Sequence, residues 1–167
     1  GIERINIELS LRNKLQLLDR LEAFVGAGQL PLGKADDASE ISNAEWLEDR
    51  VQQALALLQE VRGLWQHWLQ QLDTPPEAGG RSIFDQLQDH SLRASWKLQV
   101  LKPLQALFAG AAFVPVVDEL RRIHQDVLRG RVWVALHMHA GDGNVHTNIP
   151  VNSDDYEMLQ AAHGAVK

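Results

Sequence analysis

The sequence lacks cysteine, which excludes a disulfide, a thiolate nucleophile and a cysteine-held iron–sulfur cluster within its 167 residues. It also lacks an excess of positive charge, because 22 acidic residues outnumber 16 basic ones and give a formal net charge of −6. No concentrated basic patch is present, so nucleic acid is not expected as a partner. No apolar run approaches the roughly 20 residues that a membrane-spanning helix requires. The composition therefore favours a cytoplasmic domain without a transmembrane segment.

Apolar residues recur at helical spacing through most of the chain. The longest such stripe covers residues 46–72 and includes three tryptophans, which we expect to be buried rather than to bind a ligand. A second helical segment is predicted over residues 82–108, with an interruption at Pro103. A third helix is predicted over residues 115–130. Long helices should therefore make up most of the domain.

Two other stretches alternate apolar and polar residues, which is the pattern of half-buried strands. Residues 5–11 predict an opening strand before a helix that ends near Gly26, and one continuous helix is the alternative. Residues 132–139 and 145–150 predict an antiparallel hairpin. The expected fold class is therefore α+β and mainly helical, with long helices packed against a small antiparallel sheet.

These patterns divide the chain into three segments. Residues 1–41 form the strand–helix opening and a loop, and residues 42–110 form a helical insertion. Residues 111–167 carry the hairpin. We expect the three segments to pack as one compact domain.

The hairpin contains the sequence HMHAGDGNVHTN, which gathers three of the seven histidines around a turn. Asp-Gly favours a two-residue turn, so Asp142-Gly143 is the expected centre. That centre pairs His139 with His146, and His137 with Asn148, on one face of the hairpin. Directly opposed residues have Cβ atoms about 4.5–5.5 Å apart, close enough for two imidazoles to share a divalent cation.

Two ligands alone do not complete such a site, because a catalytic zinc ion commonly has three protein ligands and a water. Within the chain, His163, Asp118 and Asp142 are conceivable third donors, and their spacing does not decide between them. The alternative is that the histidines are solvated surface residues without a ligand.

The octapeptide His139-Ala140-Gly141-Asp142-Gly143-Asn144-Val145-His146, followed by Thr147-Asn148, resembles the signature of the FAD-linked oxidase C-terminal family. That family includes glycolate oxidase, D-lactate dehydrogenase and D-2-hydroxyglutarate dehydrogenase types. The resemblance is clearest from Val114 onward. It implies a ferredoxin-like cap domain lying over FAD, which a separate domain of the same full-length chain holds.

The resemblance also implies roles for individual residues. His139 and His146 would ligate a divalent metal, Zn or Mn/Fe, and Asn144 and Asn148 would lie near the cofactor. The third ligand and the catalytic base of the family lie in a Glu-His-Gly segment, which we expect beyond Lys167. The chain is therefore expected to be a fragment of an FAD-dependent oxidoreductase that oxidises a 2-hydroxy acid such as D-lactate or glycolate, and to be inactive alone.

One element of several relatives is absent. Those relatives carry a Trp-x-x-Arg element that binds a substrate carboxylate, whereas here Trp96 is followed by Gln99, which has no charge. Arg93 is a possible substitute. The alternative function is a non-enzymatic module in which the long Trp- and Leu-lined helices dock a partner or form a homodimer.

Overall fold

The computed structural model describes residues 1–33 and 44–131, together with the backbone of two short strands further along. Helices account for 73% of residues 1–33 and 44–131, and these residues include no strand. The expected α+β class, with helices packed on a ferredoxin-like sheet, is therefore wrong for the described part of the chain. The helical elements are α1 (Ile2–Gly26), α2 (Ala44–Gln70), α3 (Ile83–Gln88), a π-helical turn (Trp96–Leu101), α4 (Lys102–Leu107), a 3₁₀ turn (Ala111–Phe113) and α5 (Val114–Arg129).

The predicted opening strand is also wrong, because residues 5–11 belong to the continuous helix α1. Leu11 is buried and Ile7 packs against the core one helical turn earlier, so both fit a helical stripe as well as an alternating one. The charged residues decide between the two patterns. Glu8 pairs with Arg4 and with Arg12, one turn away on either side, and such i,i+4 pairs form only on a helix.

α1 and α2 run antiparallel and share the most extensive contact between helices. Arg4, at the start of α1, pairs with Asp73, which follows the end of α2. Further along, Arg62 of α2 pairs with Asp19 and Glu22 of α1. The start of one helix therefore meets the end of the other, as two neighbouring antiparallel helices require.

The surface between these two helices is apolar. Leu18, Leu21 and Val25 of α1 belong to the same buried cluster as Leu58 and Trp65 of α2, and none of the five is exposed at all. Full burial of one such side chain contributes about 1.5–3 kcal/mol. An exposed ion pair contributes only about 0–1 kcal/mol. Apolar burial therefore holds α1 on α2, and the ion pairs at the rim add little.

The predicted helix over residues 82–108 is interrupted, but the interruption lies at residues 89–95 rather than at Pro103. The chain leaves the helix at Asp89, passes through His90 with a left-handed backbone (φ 65°), and resumes at Trp96. The Asp89 carboxylate accepts a hydrogen bond from the Ser91 backbone N–H (2.9 Å), which stabilises this turn. Pro103 lies in the first turn of α4, directly after the π-helical turn, and the helical backbone continues through it.

Gln99 joins the π-helical turn to the core. Its side-chain oxygen accepts hydrogen bonds from the Ser95 backbone N–H (2.7 Å) and from the Trp65 indole N–H (3.1 Å). Trp65 is fully buried, so its N–H depends on a protein partner. Gln99 therefore satisfies two donors in the packed structure.

Two short strands follow the helices, β1 (Ala135–Met138) and β2 (Val145–Asn148). They pair antiparallel, with His137 opposite His146 and Ala135 opposite Asn148. The remaining residues of the predicted hairpin lie outside the described part of the chain.

Among the described helices, none is both long enough and apolar enough to cross a bilayer.

Replacing Gln99 with Leu should lower the free energy of unfolding by about 1–3 kcal/mol, because the buried Trp65 N–H then has no acceptor. Gln66→Leu, at an exposed position of α2, is the matched control and should change stability by less than about 0.5 kcal/mol. Urea unfolding followed by circular dichroism measures both. Equal effects of the two substitutions would contradict the structural role of Gln99.

Candidate functional site

The predicted metal and cofactor residues fall in the region around β1 and β2. His139 and Asn144 lie outside the described residues, and His146 and Asn148 lie on β2. The structure therefore locates the backbone of His146 and Asn148. The metal and cofactor roles of all four residues stay predictions.

The pairing register differs from the expected one by two residues. The Cα partner of His146 is His137 rather than His139, and that of Asn148 is Ala135 rather than His137. The midpoint of the observed pairing lies between residues 141 and 142, one residue before the Asp142-Gly143 centre that the turn preference predicted. A shift of two residues preserves the alternation of a strand, so the alternating pattern cannot distinguish the two registers.

The described helices form no metal-binding cluster of their own. In residues 1–33 and 44–131, no three histidine, aspartate or glutamate side chains come together in a group that could hold a metal ion. Asp118, one of the conceivable donors, is exposed on α5. The other two, His163 and Asp142, lie outside the described residues.

Arg93, the expected substitute for a carboxylate-binding arginine, lies at a pocket. Gln99, three residues after Trp96, is committed to the Trp65 and Ser95 hydrogen bonds. Arg93 is exposed and donates from Nε to the His90 carbonyl oxygen (3.3 Å). Its side chain lines a pocket of about 510 Å³ between α1 and the segment that joins α3 to the π-helical turn.

Trp96 and His124 stack face to face at the edge of α5. Their ring centroids are 4.4 Å apart and the ring planes differ by only 7°. The stack lines a second, smaller pocket of about 40 Å³, large enough for a few water molecules. Lys14 of α1 and Arg131, just after α5, line the same pocket.

The positive groups around this smaller pocket affect one another. Burial lowers the pKa of His124, and the charges of Lys14 and Arg131 lower it further. Burial also lowers the pKa of the Lys14 ammonium, to which the charge of Arg131 adds. Positive charge is therefore unfavourable in this pocket, and a bound anion would be stabilised there by the same groups.

Lys14 was not among the residues that the sequence pattern selected. It lies three residues after Leu11 and four before Leu18, both of which are buried. A lysine on the apolar stripe of an amphipathic helix is unusual, because lysine is rarely buried without a partner. Lys14 already lay on the predicted helix that ends near Gly26, so this signal was present in the sequence.

No protein-family model, no curated protein and no solved structure matches this chain.

His124 should titrate below the usual histidine pKa of about 6.5. The folded state then binds fewer protons than the unfolded state between the two pKa values, so acidification below about pH 6.5 should destabilise the fold through this group. Histidine ring proton NMR gives the midpoint, with His124→Phe assigning the signal while keeping an aromatic ring in the stack. Lys14→Met should raise the midpoint. A midpoint at or above 6.5 in the parent chain would contradict the effect of burial.

Proposed function

We propose that this chain covers the substrate site of an FAD-dependent oxidoreductase that oxidises a 2-hydroxy acid such as D-lactate or glycolate. The observation that carries the proposal is the octapeptide from His139 to His146, which resembles the signature of the FAD-linked oxidase C-terminal family. In this proposal the FAD-binding domain belongs to the same full-length protein, and the cysteine-free composition suits a cytoplasmic location.

The backbone pairing of β1 and β2 supports a site built from histidines. The two strands flank the centre of the octapeptide, and the register brings the backbone of His137 opposite that of His146. Neutral imidazoles are ligands for borderline divalent cations such as Zn²⁺, Mn²⁺ or Fe²⁺. The donor chemistry of the segment therefore fits the proposed metal.

Each group in the proposal has a defined task. His139 and His146 would hold the metal in their neutral forms, and Asn144 and Asn148 would position the cofactor through their amides. When bound, a divalent cation would polarise the substrate hydroxyl, and FAD would accept hydride from the α-carbon. The hydroxyl proton leaves to a base at the same time, so that the alcohol becomes a carbonyl.

The alternative of a non-enzymatic docking module has weaker support. That alternative used the long Trp- and Leu-lined helices for docking, and α2 carries the longest such stripe. Trp65 and Trp68 of that stripe are buried within this chain, in the cluster that α1 completes. The stripe is therefore already covered by the chain's own helices, and a homodimer through it is not favoured.

Titration calorimetry with Zn²⁺ and with Mn²⁺ tests the metal site. The parent chain should bind one ion saturably, and His139→Ala or His146→Ala should weaken binding by more than about tenfold. Affinity should also fall as the pH drops below about 6.5, because protonated imidazole cannot ligate. His67→Ala, at an exposed histidine of α2, is the matched control and should leave the isotherm unchanged.

His137→Ala is the informative comparison, because the structure pairs His137 rather than His139 with His146. A full loss of binding in His137→Ala together with an unchanged isotherm in His139→Ala would sink the proposed ligand pair. No saturable binding in the parent chain would sink the metal site altogether.

The chain alone should not reduce flavin. With FAD, a divalent metal and D-lactate or glycolate added, the flavin absorbance near 450 nm should stay unchanged under anaerobic conditions, since FAD-binding and base-supplying segments are assigned to the rest of the protein. Clear bleaching of FAD that depends on the substrate would contradict this assignment.

A further inference from the structure

We infer that the structure contains a second ligand site, a cleft that binds a small organic carboxylate with an apolar body. The basic cleft is defined by Lys14, His90, Arg93, His124 and Arg131. It combines the 40 Å³ pocket beside the Trp96–His124 stack and the 510 Å³ pocket beside Arg93, and both pockets are lined by Ser10 and Lys14. The larger pocket is within the range of about 300–1,000 Å³ that small-molecule sites occupy.

The charge of the basic cleft is opposite to that of the chain. The chain has a formal net charge of −6, yet neither pocket has an aspartate or glutamate among its described lining residues. The charged and titratable groups on its wall are one lysine, two arginines and two histidines. A cleft lined by one sign of charge concentrates the electric field and raises the local concentration of oppositely charged ligands.

Lys14 is the centre of this charge because it lines both pockets. It donates from Nζ to the Ser10 hydroxyl (3.0 Å), and within the described part of the chain it forms no ion pair. Several described arginines behave differently: Arg4, Arg12, Arg62, Arg81, Arg122 and Arg129 each pair with a carboxylate of the chain. The half-buried Lys14 ammonium is thus placed to bind the carboxylate of a ligand, since none of the described residues around it supplies one.

The rest of the cleft fits an apolar body rather than a bare inorganic ion. Apolar side chains such as Leu11, Leu87 and Leu92 line the larger pocket. The smaller pocket is lined by the stacked Trp96 ring and by Leu17. Trp96 also begins the π-helical turn, a rare element that is frequent at functional sites. A carboxylate at Lys14 with an aromatic or aliphatic body in the larger pocket satisfies both the charge and the apolar surface.

This inference is independent of the proposed oxidoreductase function, because it uses residues of α1, α5 and the segment between α3 and α4 and none of the octapeptide. Its test therefore uses the full 167-residue chain without added metal. Failure of the metal titration would leave the basic cleft unaffected, and failure of the anion titration would leave the metal site unaffected.

The experiment titrates the chain with three probes: phenylacetate, the neutral phenylacetamide and inorganic phosphate. Calorimetry gives the affinities, and the His124 ring resonances show where the probe binds. Phenylacetate should bind saturably and raise the His124 midpoint, because a nearby negative charge favours imidazolium. Phenylacetamide and phosphate should each bind at least about tenfold more weakly, since one lacks the charge and the other the apolar body.

Lys14→Met should weaken phenylacetate binding by about tenfold or more, because it removes the charge and keeps an apolar stem of similar length. Lys102→Met, at an exposed lysine of α4 outside the cleft, is the matched control and should bind like the parent chain. Arg93→Met is the second cleft variant. Arg93 is exposed, so this variant should fold normally and still bind phenylacetate several-fold more weakly.

Equal binding of phenylacetate and phenylacetamide would overturn the inference, and so would phosphate binding as tight as phenylacetate binding. Unchanged phenylacetate affinity in both Lys14→Met and Arg93→Met would overturn it as well. If Lys14→Met does not fold, Arg93→Met and the charged–neutral probe pair decide the outcome.

Discussion

The apolar contact between α1 and α2 is the constraint on which the rest of the structure depends. Leu18 and Leu21 on one helix and Leu58 and Trp65 on the other are removed from water completely, and the ion pairs at the rim contribute far less. Once Trp65 is buried, its indole N–H needs an acceptor, and Gln99 supplies one. The hydrogen bonds of Gln99 then fix the π-helical turn against the core. The burial of Trp65 therefore determines, through Gln99, where the segment that begins at Trp96 lies. This segment lines the cleft.

The same packing explains how an acidic chain forms a positively charged cleft. α1 presents Lys14 between buried leucines, so the aliphatic stem is held by packing while the ammonium reaches the pocket wall. His124 and Arg131 approach from the side of α5. Burial lowers the pKa of both Lys14 and His124, and the charge of Arg131 lowers both further. Such an arrangement costs folding free energy without a ligand. Unfavourable electrostatics of this kind are typical of sites that serve binding rather than stability.

The two proposals concern different parts of the chain and different chemistry. The octapeptide offers imidazole nitrogens, which suit a divalent cation, whereas the basic cleft offers cationic donors and an apolar wall, which suit a carboxylate. Gln99 is occupied with the core, so a carboxylate in this region would depend on Lys14 and Arg93, which are distant from each other in the sequence and meet through the fold.

Local pattern by itself determined where the long helices lie, because 27 residues of α2 repeat one apolar stripe and the 16 of α5 repeat another. It failed for residues 5–11, where Ile7 and Leu11 fit both the alternating and the helical pattern and the Arg4–Glu8–Arg12 pairs distinguish the two. It also failed for the register of β1 and β2, because a two-residue shift preserves the alternation. Tertiary structure alone decided the partner of Gln99 and the assembly of Lys14, Arg93 and His124 around one cleft. The reason is physical: periodicity records which face of an element is buried, but not which residues of other elements meet it there.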